Sequence, residues 1–331
     1  MIRLAGWLAG ANAVSLALSF VQSIVLARWL GVERSGHLAY FLGFVTLADT
    51  AAQGGLGRII TREVAARPRR DGAVMGAALA AQAALIAVAG AAVMFLAGRW
   101  AALLLVGSLG SAGVFVLQGK RLRGSQVAAG LAGSTTSFAA VMIAFAWMHP
   151  SVRKALAILA FAGLIRGCAQ LLLARRALVR PLALDREGVA MLMRDAWPLW
   201  LNAVVVAGYY RLDVILIRWL LPVETAVRQL SWYRAAYGLT EGGNVILGAL
   251  AVSAFPLFAN RRHAPRAELA ALFGRSLRWA ALLGGGALAA AWLLGGPAIR
   301  LVYPPDFWPA VPALARLAPV LVLALLNSLP A

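Results

Sequence analysis

Six charged side chains stand inside long apolar runs of this sequence, where charges are rare. They are Asp49, Arg166, Arg211, Asp213, Arg234 and Glu241. A charge near the centre of a bilayer costs at least about 2.5–3.5 kcal/mol, so such a residue normally faces a partner or a water-filled cavity. The six residues therefore predict either a charged cavity within a membrane or ion pairs buried between helices.

The spacing of these residues assigns them to helix faces. Tyr210 and Asp213 are three positions apart and share a face, whereas Arg211 and Asp213 are two apart and cannot neutralise each other on one helix. A polar stripe at positions i, i+3 and i+7 consists of Arg234, Tyr237 and Glu241. Two further stripes consist of Thr46, Asp49 and Gln53, and of Arg166 and Gln170. Another interpretation of Arg234 is that its long side chain reaches outward to the membrane surface.

The elements that must position these side chains are predicted to be membrane-spanning helices. The chain has 331 residues, of which 62% are hydrophobic and 13% charged, and its mean hydropathy is +0.81. A soluble core could absorb that much apolar side chain only beneath a far more charged surface. About ten apolar runs reach the roughly 20 residues that a bilayer requires. They lie at 5–30, 36–60, 73–97, 100–118, 126–148, 153–174, 196–220, 230–258, 276–295 and 311–329.

The distribution of basic residues predicts the orientation of the chain. The net charge is +19, but the arginines cluster in short segments between apolar runs, which indicates membrane orientation rather than nucleic-acid binding. With the N-terminus in the cytoplasm, cytoplasmic basic residues outnumber external ones by more than two to one, as the positive-inside rule requires. The single cysteine and three scattered histidines offer no disulfide and no metal-ligand spacing, so no cofactor is predicted.

A gapless repeat divides the chain into two predicted lobes. Residues 12–30 (NAVSLALSFVQSIVLARWL) align with residues 202–220 (NAVVVAGYYRLDVILIRWL), although apolar helices can also match by chance. Six spans separate the copies, an even number, so the lobes should be parallel repeats related by an axis along the membrane normal. The fold class is thus an all-α polytopic membrane protein with two lobes. We predict an N-terminal lobe of about six helices at 1–175, a cytoplasmic linker at 176–195 and a C-terminal lobe of about four helices at 196–331.

Several short motifs along the chain are typical of one family. They are Arg28-Trp29-Leu30-Gly31 with Gly36 and Tyr40, the tract LADTAAQGGLGRIITREVA at 47–65, Asp213, Tyr233-Arg234-Ala235-Ala236, Phe255-Pro256-Leu257 and the tract LVYPPDFWPAVPAL at 301–314. These motifs resemble the signatures of Wzx-type polysaccharide flippases, in the superfamily that includes MurJ-type lipid II flippases and MATE drug exporters. That family usually has twelve to fourteen helices, so the resemblance implies either a truncated chain or a shortened member whose second lobe is incomplete.

The resemblance implies export of an undecaprenyl-diphosphate-linked oligosaccharide across the bacterial inner membrane by alternating access. Arginine binds phosphate through two hydrogen bonds, so the expected diphosphate contacts are Arg166, Arg211 and Arg234. The residues expected to stack on sugar rings are Tyr210 and Tyr237. The carboxylates expected to carry a coupling proton or sodium ion are Asp49, Asp213 and Glu241. The expected partners are membrane lipids and a glycan polymerase or glycosyltransferases of the same pathway.

Two other functions compete with this interpretation. A MATE-like drug or cation antiporter would share the fold, but its cavity should be acidic, and the arginines within the spans argue against it. A membrane-embedded glycan-processing enzyme would need a long loop or a soluble domain to hold a sugar donor. No predicted loop greatly exceeds ~20 residues, and no nucleotide-binding, Ser-His-Asp or zinc-binding pattern is present, so we expect no enzymatic activity.

Overall fold

The computed structural model of this chain is built from helices throughout the residues that it describes, which are 2–259 and 265–327. The side chains of 2–9, 12, 123, 243–259, 266, 267, 269, 272, 324, 325 and 327 are not described. The chain forms two compact units. The first comprises Met1–Leu30 and His37–Val227, and the second comprises Gly31–Gly36 and Arg228–Ala331. No strand occurs within those described residues, so the all-α prediction is confirmed.

The helices follow the predicted apolar runs closely. In chain order they are α1 (Ile2–Gln53), α2 (Leu56–Ala66), α3 (Asp71–Ala97), α4 (Arg99–Leu103), α5 (Gly110–Gly119), α6 (Arg123–Trp147), α7 (Val152–Ala177), α8 (Arg186–Leu220), α9 (Val223–Ala259), α10 (Arg266–Val302), α11 (Ala310–Leu317) and α12 (Pro319–Asn327). Seven segments of the described chain are long and apolar enough to cross a membrane. One of them, Ala13–Ala66, has 54 residues and would be about 80 Å long, enough for two crossings. The chain is therefore a multi-pass membrane protein.

Glycines divide this first long segment. Gly31 has φ 73° and ψ 175°, which interrupts α1 between the predicted runs 5–30 and 36–60. Gly54 and Gly55 adopt φ values of 59° and 66°, in the left-handed region that glycine enters without steric cost. The second run therefore ends at this turn, and the amphipathic helix α2 begins directly after it.

Helix α8 packs along the second half of α1 within the first unit. The guanidinium of Arg218 lies 5.7 Å from the ring centroid of Tyr40. Near the middle of α8, the indole N–H of Trp200 donates to the carbonyl of Ala51 at 2.9 Å and so occupies one of the acceptors exposed where α1 ends. Tyr40 on α1 contacts Arg218 on α8, whereas the later residue Ala51 contacts the earlier residue Trp200. The two helices therefore run antiparallel. The predicted repeat and lobe boundaries stay predictions.

A buried carboxylate attaches the α7–α8 connection to the start of α3. Asp71 is fully buried. It accepts hydrogen bonds from the backbone N–H groups of Gly72 and Val179, both at 2.7 Å, and of Arg180 at 3.2 Å. Lys120 places its ammonium nitrogen 2.5 Å from the same carboxylate. This set of bonds holds the extended connection against α3.

The predicted linker at 176–195 contains only a short non-helical segment. Helix α8 already begins at Arg186, and Asp185 caps it by accepting a hydrogen bond from the backbone N–H of Gly188 at 2.9 Å. Val189, Met191 and Leu192, which belong to the predicted linker, lie in the first turns of α8.

In the second unit, the tract at 301–314 folds back onto α9. Tyr303 and Phe307 are buried, and their rings stack with centroids 5.4 Å apart. The indole N–H of Trp232 donates to the backbone carbonyl of Asp306 at 2.9 Å. The aromatic residues of this motif thus have a packing role.

Candidate functional site

A cavity of about 490 Å³ lies within the first unit, between the end of α1, α2, α5 and α8. Its wall consists of Thr50, Gln53, Gly55, Gly57, Arg58, Phe115, Leu199, Asn202, Ala203 and Val206. Among these described residues Arg58 carries a formal charge and none is acidic. The wall combines a guanidinium, two amides and a hydroxyl with apolar surface, a combination that suits a ligand with anionic and hydroxyl groups.

The local sequence of α2 directs Arg58 away from the protein core. The apolar face of this amphipathic helix is buried through Leu56, Ile59, Ile60 and Val64. Arg58 lies on the other face and is exposed. A Cβ atom added to Gly57 would stand 2.7 Å from the ring of Phe115, so a glycine at this position lets the aromatic ring of α5 pack against α2.

Helix α8 contributes the opposite wall, and its contact with the turn at Gly55 is very close. A Cβ atom on Gly55 would lie 2.7 Å from the backbone nitrogen of Trp200. This approach brings Asn202, two residues further along α8, to the cavity. The repeat comparison singled out Asn202 for its alignment with Asn12 and did not predict it as a site residue.

Asp49 lies beside this cavity in a network of neutral polar groups. Gln53 lines the cavity, and its Nε2 donates to the Asp49 carboxylate at 2.8 Å. The hydroxyl of Ser108 donates to the other oxygen of that carboxylate. The backbone carbonyl of Ser108 in turn accepts a 2.8 Å hydrogen bond from Nε2 of Gln82, which is also 2.5 Å from the Ser111 hydroxyl. The structure therefore connects Asp49, a predicted ion-coupling residue, to α3 and to the fourth span.

The three predicted site residues of α8 lie beyond the cavity. Tyr210 is exposed, and its ring meets that of Tyr209 edge to face at 5.4 Å. Arg211 and Asp213 are half-buried, and Asp213 accepts a 2.7 Å hydrogen bond from the backbone N–H of the next residue. None of the three lines the 490 Å³ cavity, and their roles stay predictions.

Arg166 occupies a different place in the first unit. It is exposed on α7, and its aliphatic stem lies against Gly133 of α6, where an added Cβ atom would come within 2.5 Å of it. Contact with Gly133 covers the aliphatic part of the Arg166 side chain, so only its charged end needs a polar environment. The predicted contact of Arg166 with phosphate stays a prediction.

The remaining predicted residues share α9 in the second unit, as their spacing indicated. Arg234 and Glu241 are exposed, and Tyr237 stacks on Tyr233 with ring centroids 5.9 Å apart. Burial raises the pKa of the neighbouring Tyr303 to about 12, against the opposing effect of the Arg234 charge. The hydroxyl of Tyr303 therefore stays protonated near neutral pH. The roles of Arg234, Tyr237 and Glu241 in binding or coupling stay predictions.

Sequence reasoning missed several polar residues of this region because it considered only charged residues well inside the apolar runs. Arg58 was counted as a cytoplasmic charge that orients the chain, and its position directly after the paired glycines was not used. Gln82 is the one polar residue in the run AALAAQAALIAV, residues 77–88. An amide in such a run was the available signal for a buried polar contact.

Comparison with known protein families identifies the family of this chain. A family model described as "Polysaccharide biosynthesis protein" matches residues 2–261. No curated protein matches the chain by sequence. The family match confirms the resemblance that the short motifs predicted.

The fold is similar to solved transporter structures of the MOP superfamily. One is a multidrug resistance MATE family transporter in its inward-facing conformation, with a TM-score of 0.60 and 16% identity, covering 95% of this chain and 78% of that chain. An outward-facing conformation of a multidrug resistance MATE family transporter gives the same TM-score and identity, with coverage of 96% of this chain and 78% of that chain. A MOP superfamily transporter from Pyrococcus furiosus, described by a reverse polarity of its binding pocket, has a TM-score of 0.60, 17% identity, and coverage of 99% and 79%. At such identities the similarity concerns the fold.

Proposed function

Because this chain belongs to the polysaccharide biosynthesis protein family, we propose that it is a flippase that exports an undecaprenyl-diphosphate-linked oligosaccharide by alternating access. The observation that carries this proposal is the cavity of about 490 Å³ with Arg58, Gln53 and Asn202 in its wall, inside a multi-pass apolar fold. Its place of action is the bacterial inner membrane, with the N-terminus in the cytoplasm.

The chemistry of the cavity suits the polar headgroup of such a lipid. Arg58 supplies the positive charge and the planar donors that bind phosphate. The amides of Gln53 and Asn202 can donate to and accept from sugar hydroxyls, and Phe115 offers an apolar face. A volume of about 490 Å³ lies within the usual range for small-ligand sites, so the cavity fits a few headgroup units while the polyprenyl tail remains in lipid.

The residues predicted from the sequence fit the same cycle. In this proposal the diphosphate also contacts Arg166, Arg211 and Arg234 as it crosses, and the sugars stack on Tyr210 and Tyr237. The coupling proton or sodium ion is carried by Asp49, Asp213 or Glu241. The lipid-linked substrate is supplied and consumed by glycosyltransferases and a glycan polymerase of the same pathway.

A flipping assay with the purified protein tests this proposal. The full chain is reconstituted into liposomes with a fluorescent short-chain polyprenyl-diphosphate saccharide, and the fraction that reaches the other leaflet is measured by quenching from one side. We expect Arg58→Ala to slow flipping about tenfold or more, because a charge-assisted hydrogen bond is lost, and Arg58→Lys to retain part of the rate. The matched control is Arg99→Ala, since Arg99 lies over the Trp100 ring, 5.4 Å from its centroid, and outside the cavity. Wild-type flipping by both Arg58→Ala and Asn202→Ala would contradict the assignment of the cavity.

A MATE-like drug exporter is the second candidate, because solved structures of that class share the fold. Its cationic substrates require acidic groups in the binding cavity, and the described cavity wall contains Arg58 and no acidic residue. The same liposomes separate the two candidates: uptake of a cationic dye without flipping of the saccharide lipid would favour the drug exporter.

A further inference from the structure

Exposed arginines of three chain segments meet at the start of α3. Asp71 accepts hydrogen bonds from the backbone N–H groups of Val179 and Arg180. It also pairs with Lys120, whose ammonium donates to the carbonyl of Ala177. These contacts bring together the turn before α3, the turn after α5, and the end of α7 with the connection that follows it. The exposed arginines of these segments form what we call the basic surface: Arg69, Arg70, Arg121, Arg175, Arg176 and Arg180.

The basic surface carries positive charge that its surroundings do not neutralise. The ion pairs within the described part of the chain use other arginines, namely Arg62, Arg67, Arg194 and Arg228. Of the acidic residues in the same segments, Asp71 is paired with Lys120 and Asp185 caps α8, so that Glu187 is left as an exposed carboxylate. A group of cations with so little counter-charge attracts anions to this end of the protein.

Arg121 occupies a backbone position that favours glycine. At the end of α5 its N–H donates to the carbonyl of Gln118 at 2.9 Å, and the N–H of Leu122 donates to the carbonyl of Leu117 at 2.9 Å. This pair of bonds requires the left-handed conformation at the first residue after the cap, where Arg121 has φ 58°. A Cβ atom makes that conformation unfavourable, so an exposed arginine there is a cost to the fold. A role of the guanidinium in binding explains the arginine better than a role in stability.

The basic surface lies at the depth of lipid headgroups. Helix α3 begins at Asp71 and has 27 residues, so it is about 40 Å long. A bilayer measures roughly 40–45 Å when its headgroup layers are included. A helix of this length crosses both headgroup layers, and its first residues therefore lie in one of them, on the side that the sequence predicts to be cytoplasmic.

The connection that leaves the basic surface runs along α3 in the direction of the apolar part of the bilayer. A Cβ atom added to Gly72 would collide with the backbone carbonyl of Pro181, and one added to Gly76 would collide with that of Ala183. The leucines on either side of Ala183 are 50% and 67% exposed. Exposed leucines thus lie deeper than the exposed arginines, in the order in which a phospholipid presents its acyl chains and its phosphate.

We propose that the basic surface is a binding site for anionic phospholipids of the leaflet that surrounds this end of α3. Guanidinium groups bind phosphate oxygens through paired, charge-assisted hydrogen bonds, and basic clusters at the membrane surface attract anionic lipids. The leucines beside Ala183 contact the upper part of the acyl chains. A soluble polyanion would use the arginines and leave these leucines in water, so the lipid is the better match. This inference does not depend on what the protein transports.

Lipid titration of the purified full chain in a neutral detergent tests the site, with bound lipids counted by native mass spectrometry. We expect phosphatidylglycerol to bind more tightly than phosphatidylcholine, and added salt to reduce the difference, because exposed charges are screened. An arginine near the surface contributes up to about fivefold in affinity, so Arg121→Gly and Arg180→Ala should each weaken phosphatidylglycerol binding about two- to fivefold. The matched control is Arg153→Ala, which removes an exposed arginine at the opposite end of α7 and should bind like the wild type.

The melting temperature separates binding from folding. Phosphatidylglycerol should raise the Tm of the wild type more than that of Arg121→Gly, because a ligand stabilises the state that it binds. Without anionic lipid, Arg121→Gly should melt at the same temperature as the wild type or higher, since glycine removes the cost of the left-handed conformation. A lower Tm would assign this arginine to the fold and overturn its role in binding.

Three other results would overturn the site. The first is equal affinity of the wild type for the two lipids, or wild-type affinity of both Arg121→Gly and Arg180→Ala for phosphatidylglycerol. The second is an equal loss in Arg153→Ala, which would show an effect of total charge. The third is binding of inorganic pyrophosphate as tight as that of phosphatidylglycerol, which would assign the surface to a soluble anion.

Discussion

Replacing Asp71 with alanine should destabilise the protein far more than breaking an exposed ion pair. Asp71 is fully buried, and Lys120, its ionic partner at 2.5 Å, has a side chain that is 14% exposed. Removing one partner of a buried pair costs about 3–5 kcal/mol, because the other charge stays in a poorly solvated place. The backbone N–H groups of Val179 and Arg180 also lose their acceptor, although the connection can relax toward water. We therefore expect a loss of about 3–5 kcal/mol in the free energy of unfolding.

The control is an ion pair of the same type in a solvated place. Arg228 and Glu33 are 3.0 Å apart, with side chains 59% and 67% exposed. Glu33→Ala should change the free energy of unfolding by no more than about 1 kcal/mol. Both variants are measured by denaturant titration in mixed micelles, followed by tryptophan fluorescence. Tryptic cleavage after Arg176, in the last turn of α7 beside the connection, gives a local readout, since Asp71→Ala should release the connection there first.

A double mutant separates the ion pair from the backbone contacts. Asp71→Ala combined with Lys120→Met removes both charges, so its effect should be smaller than the sum of the single effects by about 0.5–3 kcal/mol. Strict additivity would mean that the two side chains do not interact. An Asp71→Ala variant as stable as Glu33→Ala would refute the conclusion that this carboxylate holds the connection.

Two further predictions concern topology and the arginines of the proposed pathway. Reporter fusions at Arg69 and at Lys154 should give opposite sidedness, because three spans separate the two sites; matching sidedness would contradict the span assignment. Alanine at Arg211 or Arg234 should abolish glycan export in a complementation assay without lowering expression, and lysine should rescue it in part, because an ammonium group cannot hold phosphate through two parallel bonds. Full export by the double alanine variant would assign these two arginines a structural role.

The helices of this protein could be predicted from the sequence because each depends on a local property. A run of apolar residues long enough to cross a bilayer is visible without knowledge of its neighbours. The ends of α3, α6 and α7 accordingly fall within a few residues of the predicted runs. The start of α8 was placed ten residues late, since the cap by Asp185 precedes a polar and basic stretch that resembles a loop.

The hydrogen-bonded network around Asp49 could not be predicted in the same way, because it depends on which helices meet. Asp49 was recognised from its charge, but its contact with Ser108 joins residues 59 positions apart. Gln82 and Ser108 carry no charge, and their hydrogen bond requires α3 and the 3-10 segment to approach closely. The glycines of this segment allow it to pack on α7. They also lower the hydropathy of the fourth span, so the residues that make this contact possible make the span harder to recognise.

The charged residues of the first unit differ in whether their partners are charged or neutral. Asp71 is paired with Lys120, and Arg62 lies 2.9 Å from Asp195, so each of these pairs connects two segments and serves the fold. Asp49 has only neutral partners among the described residues, although a carboxylate within a membrane span is costly to maintain. A charge retained at such a position without an ionic partner is better explained by a ligand than by stability. Under the proposed function, Asp49 would act in the transport cycle, and Gln53 connects its carboxylate to the adjacent cavity.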